Sequence, residues 1–149
     1  NPNFIKESGY PVDDLYELLD KTNAKSTTVV IDACFSGSSD QGPILKDISP
    51  VFIEVDETFL GSKNSAVFTS ATGEQVSSWY RDKSHSLFTY YFLKGLQGDA
   101  DSNSDGKLIL SEIKDYIDDK VPYQARRINN REQEPQLMTD DDSRVLIIY

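Results

Sequence analysis

Two short apolar segments constrain the fold of this chain most. They read TTVVIDA (27–33) and NSAVFTSAT (64–72), and both carry β-branched or aromatic residues at consecutive positions. Continuous apolar runs of this length are typical of strands that are covered on both faces, as in parallel sheets. We therefore expect both segments to be buried strands, the first of them a central parallel strand.

Helical spacing marks three further segments, which are YPVDDLYELLDK (10–21), SLFTYYFLKGL (86–96) and ILSEIKDYIDDKV (109–121). We expect Pro122 to kink or end the third helix. The last residues, SRVLIIY (143–149), predict a terminal edge strand. Since helices alternate with strands, the fold class is α/β.

Length, charge and cysteine content exclude several classes of function. The 149 residues suffice for one domain with one core. The formal net charge of -10 opposes binding to nucleic acid or to an anionic membrane surface, and no apolar run reaches the roughly 18 residues of a membrane span. The single cysteine excludes an internal disulfide framework. We expect neither nucleic acid nor membrane as a partner, and the compartment stays open.

The single cysteine, Cys34, follows the first predicted strand, and small residues come soon after it at 36–39. Open α/β sheets place their sites at the carboxyl ends of strands. Small residues there leave room for a substrate and for backbone N–H groups that could face an oxyanion. Cys34 is thus a candidate nucleophile. The alternative is a small buried apolar residue, the commoner role of a lone cysteine.

The segment VVIDACFSG (29–37) resembles the nucleophile segment of the caspase-like cysteine peptidases, in particular the bacterial members and the metacaspases. Four later segments resemble the second half of the same domain in the same order: VFTSATGEQVSSW, SLFTYYFLKGLQG, VPYQARRI and EPQL. The resemblance covers nearly the whole chain. It implies a three-layer sandwich with a mostly parallel central sheet, of which residues 1–149 form the C-terminal portion and lack the N-terminal strands.

The same resemblance implies that Cys34 is the nucleophile of a Cys–His dyad. The family takes its histidine from a Gly-His-Gly-like turn that precedes the nucleophile, whereas the only histidine here, His85, lies well after it. We therefore expect the chain to work with an N-terminal part of the same domain that carries the histidine, and to be inactive alone. His85 is expected to cap a helix or to face solvent.

Asp32 is a candidate for selecting the substrate. Residues two apart on a strand share a face, so Asp32 and Cys34 point the same way if the strand geometry runs through Cys34. At about 6 Å and an effective dielectric constant of about 20, a carboxylate and a thiolate repel by roughly 3 kcal/mol. A cationic substrate side chain would remove that penalty, and the metacaspase resemblance implies that Asp32 lines a pocket for Arg or Lys. Alternatively, Asp32 caps the turn through backbone N–H groups.

The segment SSWYR (77–81) raises a rival specificity. It resembles the Ser-Trp-Arg of animal caspases, which cleave after Asp, but Tyr80 follows Trp79 and moves the arginine to Arg81. Asp32 also stands where animal caspases carry a glutamine. We predict that Trp79 walls the substrate groove; otherwise it serves packing.

A second motif, DSNSDGKLILSE (101–112), fits the twelve-residue EF-hand loop, with a predicted helix on each side. Calcium, structural or activating, would be bound by Asp101, Asn103, Asp105, the backbone carbonyl of Lys107, and Glu112, with Gly106 at the sharp turn. Ile109 departs from the pattern, because its side chain cannot hold a bridging water. The alternative is a polar turn between two helices.

The sequence thus predicts a cysteine endopeptidase that acts on peptide or protein substrates, cleaves after Arg or Lys, and needs no cofactor for the chemistry. One rival is a catalytically inactive caspase-like module that signals by binding. Another is a calcium-binding interaction module, which would be indifferent to Cys34→Ala.

Overall fold

The computed structural model describes residues 10–33, 38–39, 42–43, 64–72 and 75–149. Its helices are α1 (Val12–Asp20), α2 (Leu87–Lys94) and α3 (Leu110–Asn129). Its strands are β1 (Thr27–Ile31), β2 (Ser38–Ser39), β3 (Gly42–Pro43), β4 (Ser65–Thr69), β5 (Trp79–Tyr80), β6 (His85–Ser86), β7 (Lys107–Ile109), β8 (Gln136–Thr139) and β9 (Val145–Ile148). All three predicted helices are present, and the two strands predicted from apolar segments are present as β1 and β4.

The central sheet has the order β1–β4–β8. β1 and β4 are parallel, with Val29 opposite Val67, and β8 runs antiparallel to β4, with Met138 opposite Val67. Within the described residues the sheet is therefore mixed, with one parallel and one antiparallel pairing. The α/β class is confirmed.

Helices cover both faces of this sheet. All five residues of β4 are buried, and its alternate side chains enter different clusters. Val67 packs with Tyr16 of α1, whereas Phe68 packs with α2 and α3, where its ring meets Phe92 edge-on at 5.2 Å between centroids. The result is three layers, with α1 on one side and α2 and α3 on the other.

β1 is less covered than the sequence led us to expect. Within the described residues it pairs with β4 alone, and Val30 is 43% exposed. Its apolar residues at consecutive positions are therefore half-buried rather than enclosed.

The helix α3 buries one continuous face, since its buried residues are three or four positions apart. They are Leu110, Ile113, Ile117, Val121 and Ala125. The expectation that Pro122 could end this helix is wrong, because α3 continues for seven residues, to Asn129. Proline removes one backbone donor from a helix. The buried side chains on either side of Pro122 hold the later turns against the core.

β7 was not predicted from the sequence, whereas the terminal strand β9 was. The two strands pair antiparallel. The two strands form a separate two-stranded sheet beside the N-terminus of α3. Among the described residues no helix combines the length and the apolar character that crossing a bilayer requires.

Candidate active site

The candidate site lies where β1 and β4 end. Because these strands are parallel, their carboxyl ends meet at one edge of the sheet. Ser70, the residue after β4, donates its backbone N–H to the carbonyl oxygen of Ile31 at 3.0 Å and its hydroxyl to that of Ala33 at 3.3 Å. These two bonds fix the chain on both sides of Asp32.

The Asp32 carboxylate accepts hydrogen bonds from three hydroxyl groups. Ser77 Oγ donates to Oδ1 at 2.7 Å, Thr89 Oγ1 donates to Oδ2 at 2.5 Å, and Ser86 Oγ also donates to Oδ2. The three donors come from sequence positions 45 to 57 residues away. We call Ser77, Ser86 and Thr89 the hydroxyl cradle. The cradle orients the carboxylate through side-chain hydroxyls. The alternative expectation from the sequence was that Asp32 caps a turn by accepting from backbone N–H groups.

The hairpin of β5 and β6 forms one wall beside the cradle. Trp79 pairs with Ser86 and Tyr80 with His85. Ser86 is also the N-cap of α2, since its Oγ accepts from the backbone N–H of Thr89 at 3.2 Å. The Tyr80 ring packs edge-on against Tyr90 of α2, with centroids 5.2 Å apart. The hairpin is thus anchored to the helix whose N-cap and first turn supply two of the three hydroxyls.

These elements enclose an open pocket of about 400 Å³. It is lined by Asp32, Ala33, Ser77, Ser78, Trp79, His85, Ser86 and Thr89. Trp79 is 47% exposed and is one of the lining residues, so it is not part of the core. The lining groups of the pocket thus include the carboxylate residue Asp32 and the indole residue Trp79.

The structure brings two of the predicted site residues together: Asp32 and Trp79 line the same pocket. Cys34 lies outside the described residues, and its neighbour Ala33 lines the pocket. His85 is exposed, as expected, but it also lines the pocket. Arg81 is not among the lining residues.

Sequence reasoning missed the hydroxyl cradle and the buried Gln133. The Gln133 side chain is fully buried, accepts from the backbone N–H of Ser78 at 2.8 Å and donates to the carbonyl oxygen of Ser70 at 2.9 Å. Serine, threonine and glutamine carry little motif information, because their roles depend on contacts between distant segments. The one local signal was Ser86, a typical N-cap residue in front of an apolar helix.

A sequence model of the caspase domain matches residues 4–146. The chain belongs to the caspase-domain peptidases. This confirms the family that the nucleophile-like segment and the later segments resembled, and it makes peptides or proteins the general class of substrate. No curated protein and no solved structure matched the chain.

The EF-hand-like loop of this caspase domain is a set of local turns. Asn103 Oδ1 accepts from the backbone N–H of Asp105 at 2.8 Å, Asp101 Oδ2 from that of Gly106 at 3.1 Å, and Asp105 Oδ1 from that of Lys107 at 2.8 Å. Gly106 has φ +77°, a conformation that side chains disfavour, so the predicted sharp turn is present.

The Glu112 carboxylate accepts hydrogen bonds from two other residues of the loop. Its Oε2 accepts from the N–H of Ile109 at 3.2 Å and its Oε1 from the hydroxyl of Ser102 at 3.2 Å. Across the described residues, no group of three or more His, Cys, Asp and Glu side chains is arranged to hold a metal ion. The carboxylates of Asp101, Asp105 and Glu112 thus accept from backbone N–H groups of the loop itself.

A polar contact joins the end of α2 to α3, close to this loop. Lys94 and Asp99 form an ion pair at 2.8 Å, and the hydrogen bond from Lys94 is the main cause of the lowered pKa of Asp99. The Tyr116 hydroxyl donates to Asp99 Oδ2 at 3.3 Å. Burial, followed by the charge of Asp99, raises the pKa of Tyr116 to about 12. This phenol therefore stays protonated well above neutral pH.

Proposed function

We propose that this caspase domain belongs to a cysteine endopeptidase that cleaves after Arg or Lys. One observation carries the proposal: the Asp32 carboxylate, held by the hydroxyl cradle, lies in an open pocket at the strand end that leads into Cys34. A negative group in that position favours a cationic substrate residue immediately before the bond to be cleaved. It would repel an aspartate there.

The proposed chemistry uses the Cys34 thiolate as nucleophile, since the thiolate rather than the thiol attacks. Sulfur bonds to the carbonyl carbon of the scissile peptide, and the carbonyl oxygen takes up the negative charge. A histidine from the segment that precedes residue 1 removes the thiol proton and returns it to the leaving amine. Water then hydrolyses the thioester, releasing the new carboxylate and regenerating the thiol.

Trp79 has a proposed role in the same pocket. Its half-exposed indole lies on the hairpin strand directly opposite Ser86 of the cradle. There it can pack on the methylene stem of Arg or Lys, or face the guanidinium group, which favours a cation over a neutral residue. The pocket then recognises charge through Asp32 and length through Trp79.

We further propose that the loop 101–112 binds calcium and thereby fixes the spacing of α2 and α3. Three features support the proposal: loop carboxylates that accept from backbone N–H groups, a glycine at the sharp turn, and a helix on each side of the loop. β7 of the loop pairs with β9, so ordering the loop would also order the C-terminal strand. This role is structural and separate from the proposed chemistry.

Hydrolysis of three matched fluorogenic peptides tests the proposed function. The peptides end in Arg, Lys or Asp, and the enzyme is the full-length protein that contains this chain, beside its Cys34→Ala variant. We expect cleavage after Arg and Lys that disappears in the variant. Cleavage after Asp would contradict the specificity, and a folded protein that cleaves none of the three would favour a binding module.

A further inference from the structure

A closed ring of hydrogen bonds and peptide links joins four residues of the pocket lining, at 32–33 and 77–78, to Ser70 and Gln133. It starts at Ala33, whose carbonyl oxygen accepts the Ser70 hydroxyl at 3.3 Å. The Ser70 carbonyl oxygen accepts from Gln133 Nε2 at 2.9 Å, and Gln133 Oε1 accepts from the Ser78 N–H at 2.8 Å. Ser77, the residue before Ser78, donates to Asp32, the residue before Ala33, which completes the ring.

The Gln133 side chain is fully buried, and both the oxygen and the nitrogen of its amide form hydrogen bonds in this ring. It joins three segments that are distant in sequence: the end of β4, the segment before β5, and the segment before β8. Ser78 in turn accepts at its carbonyl oxygen from the Leu87 N–H at 2.7 Å, at the start of the helix that carries Thr89. The contacts of Gln133 and Ser78 therefore connect the turn that carries Asp32 with the elements that carry the cradle.

We propose that Gln133 is a positioning residue of the site, whose buried amide locks the turn carrying Asp32 and Ala33 to the segment carrying Ser77 and Ser78. The proposal rests on the proposed function in one respect: the pocket so shaped is the one that receives the basic substrate residue. Gln133 itself is not among the residues that line the pocket. Its effect reaches Asp32 through Ser70 on one side and Ser77 on the other.

A double-mutant cycle tests this role in the full-length protein. Gln133→Met keeps the approximate length of the side chain and removes both hydrogen bonds, Ser77→Ala opens the ring at Asp32, and Gln97→Met is the exposed control on another surface. For the Arg peptide we expect Gln133→Met to raise KM by about tenfold, as the loss of one or two buried hydrogen bonds implies. We expect a smaller change in kcat and no change in the control.

The cycle separates positioning from mere stability. If Gln133 acts through the ring, Gln133→Met will raise KM less in the Ser77→Ala background, because the route through Ser77 is already open and only the route through Ser70 remains. Independent effects that multiply, or an unchanged KM in a Gln133→Met protein that remains folded, would overturn the proposal.

Amide hydrogen exchange supplies a readout that needs no activity. We expect Gln133→Met to accelerate exchange at residues 31–33 and 75–79 together, while α3 keeps its protection. Acceleration at 75–79 alone, or a uniform rise throughout the domain, would contradict the coupling. A wild-type protein that cleaves no peptide would refute the proposed function, and the exchange pattern would still decide whether Gln133 joins the two segments.

Discussion

Replacing Asp32 by asparagine removes the negative charge of this side chain from the pocket and leaves its size nearly unchanged. The side chain keeps its shape, and the hydroxyls of the cradle can rotate to accept from the new amide as well as donate to its oxygen. Asp32 is exposed and not part of the core. We therefore expect Asp32→Asn to fold normally and to affect the recognition of charge.

The size of the effect follows from the hydrogen bond that the substrate cation would lose. A hydrogen bond to a charged group contributes about 1.5–3 kcal/mol. Because Asp32 is exposed before substrate binds, we take the lower part of that range, about 1.5–2 kcal/mol, which corresponds to a loss of about 10- to 30-fold in kcat/KM. The loss should appear with peptides ending in Arg.

A peptide ending in citrulline, the neutral analogue of Arg, makes the assay specific for charge. We expect the ratio of kcat/KM for the Arg peptide to that for the citrulline peptide to fall by about 10- to 30-fold in Asp32→Asn. Asp82→Asn, an exposed position on the same hairpin outside the pocket lining, is the matched control and should keep the wild-type ratio. An unchanged Arg-to-citrulline ratio in a folded Asp32→Asn protein would refute the reasoning.

Further expectations concern the base, the core, the tyrosine and the loop. His85→Ala should retain most of the hydrolysis rate at saturating Arg peptide; a loss on the scale of Cys34→Ala would make His85 the base and contradict the proposed upstream histidine. Ile117→Ala should lower the free energy of unfolding by about 2–5 kcal/mol in urea titrations, against less than about 1 kcal/mol for the half-exposed Ile128→Ala. The folded-state pKa of Tyr116, about 12, exceeds the usual 10.0, so its contribution to stability is complete below pH 10 and is lost between pH 10 and about 12. Tyr116→Phe should therefore flatten the plot of unfolding free energy against pH in that range. An unchanged slope would contradict this expectation. Calcium should raise the melting temperature of the wild-type protein but not of Glu112→Gln, and equal shifts in both would argue against the loop as the site.

Much of the architecture could be read from the sequence because hydrophobic spacing records it directly. The consecutive apolar residues of β4 predicted a buried strand, and the helical spacing in residues 109–121 predicted the helix α3. The end of α3 was misjudged because proline has a local cost, whereas the buried residues beyond it add a favourable tertiary contribution that local rules omit.

The pocket was only partly predictable. Asp32 could be singled out from its position two residues before Cys34, and Trp79 from a family-like segment. The hydroxyls that hold Asp32 could not, since each lies at least 45 residues away and serine and threonine occur throughout the chain. Gln133 was hidden for the same reason: its role consists of two backbone partners that meet only in the folded protein.

Covalent labelling tests the central claim most directly. The full-length protein is treated with a peptidyl chloromethyl ketone that ends in Arg, and the modified residue is located by digestion and mass spectrometry. The account predicts one adduct, on Cys34, that free Arg peptide suppresses and that Asp32→Asn slows. Labelling of a different residue, or equally fast labelling by a reagent that ends in Asp, would contradict it.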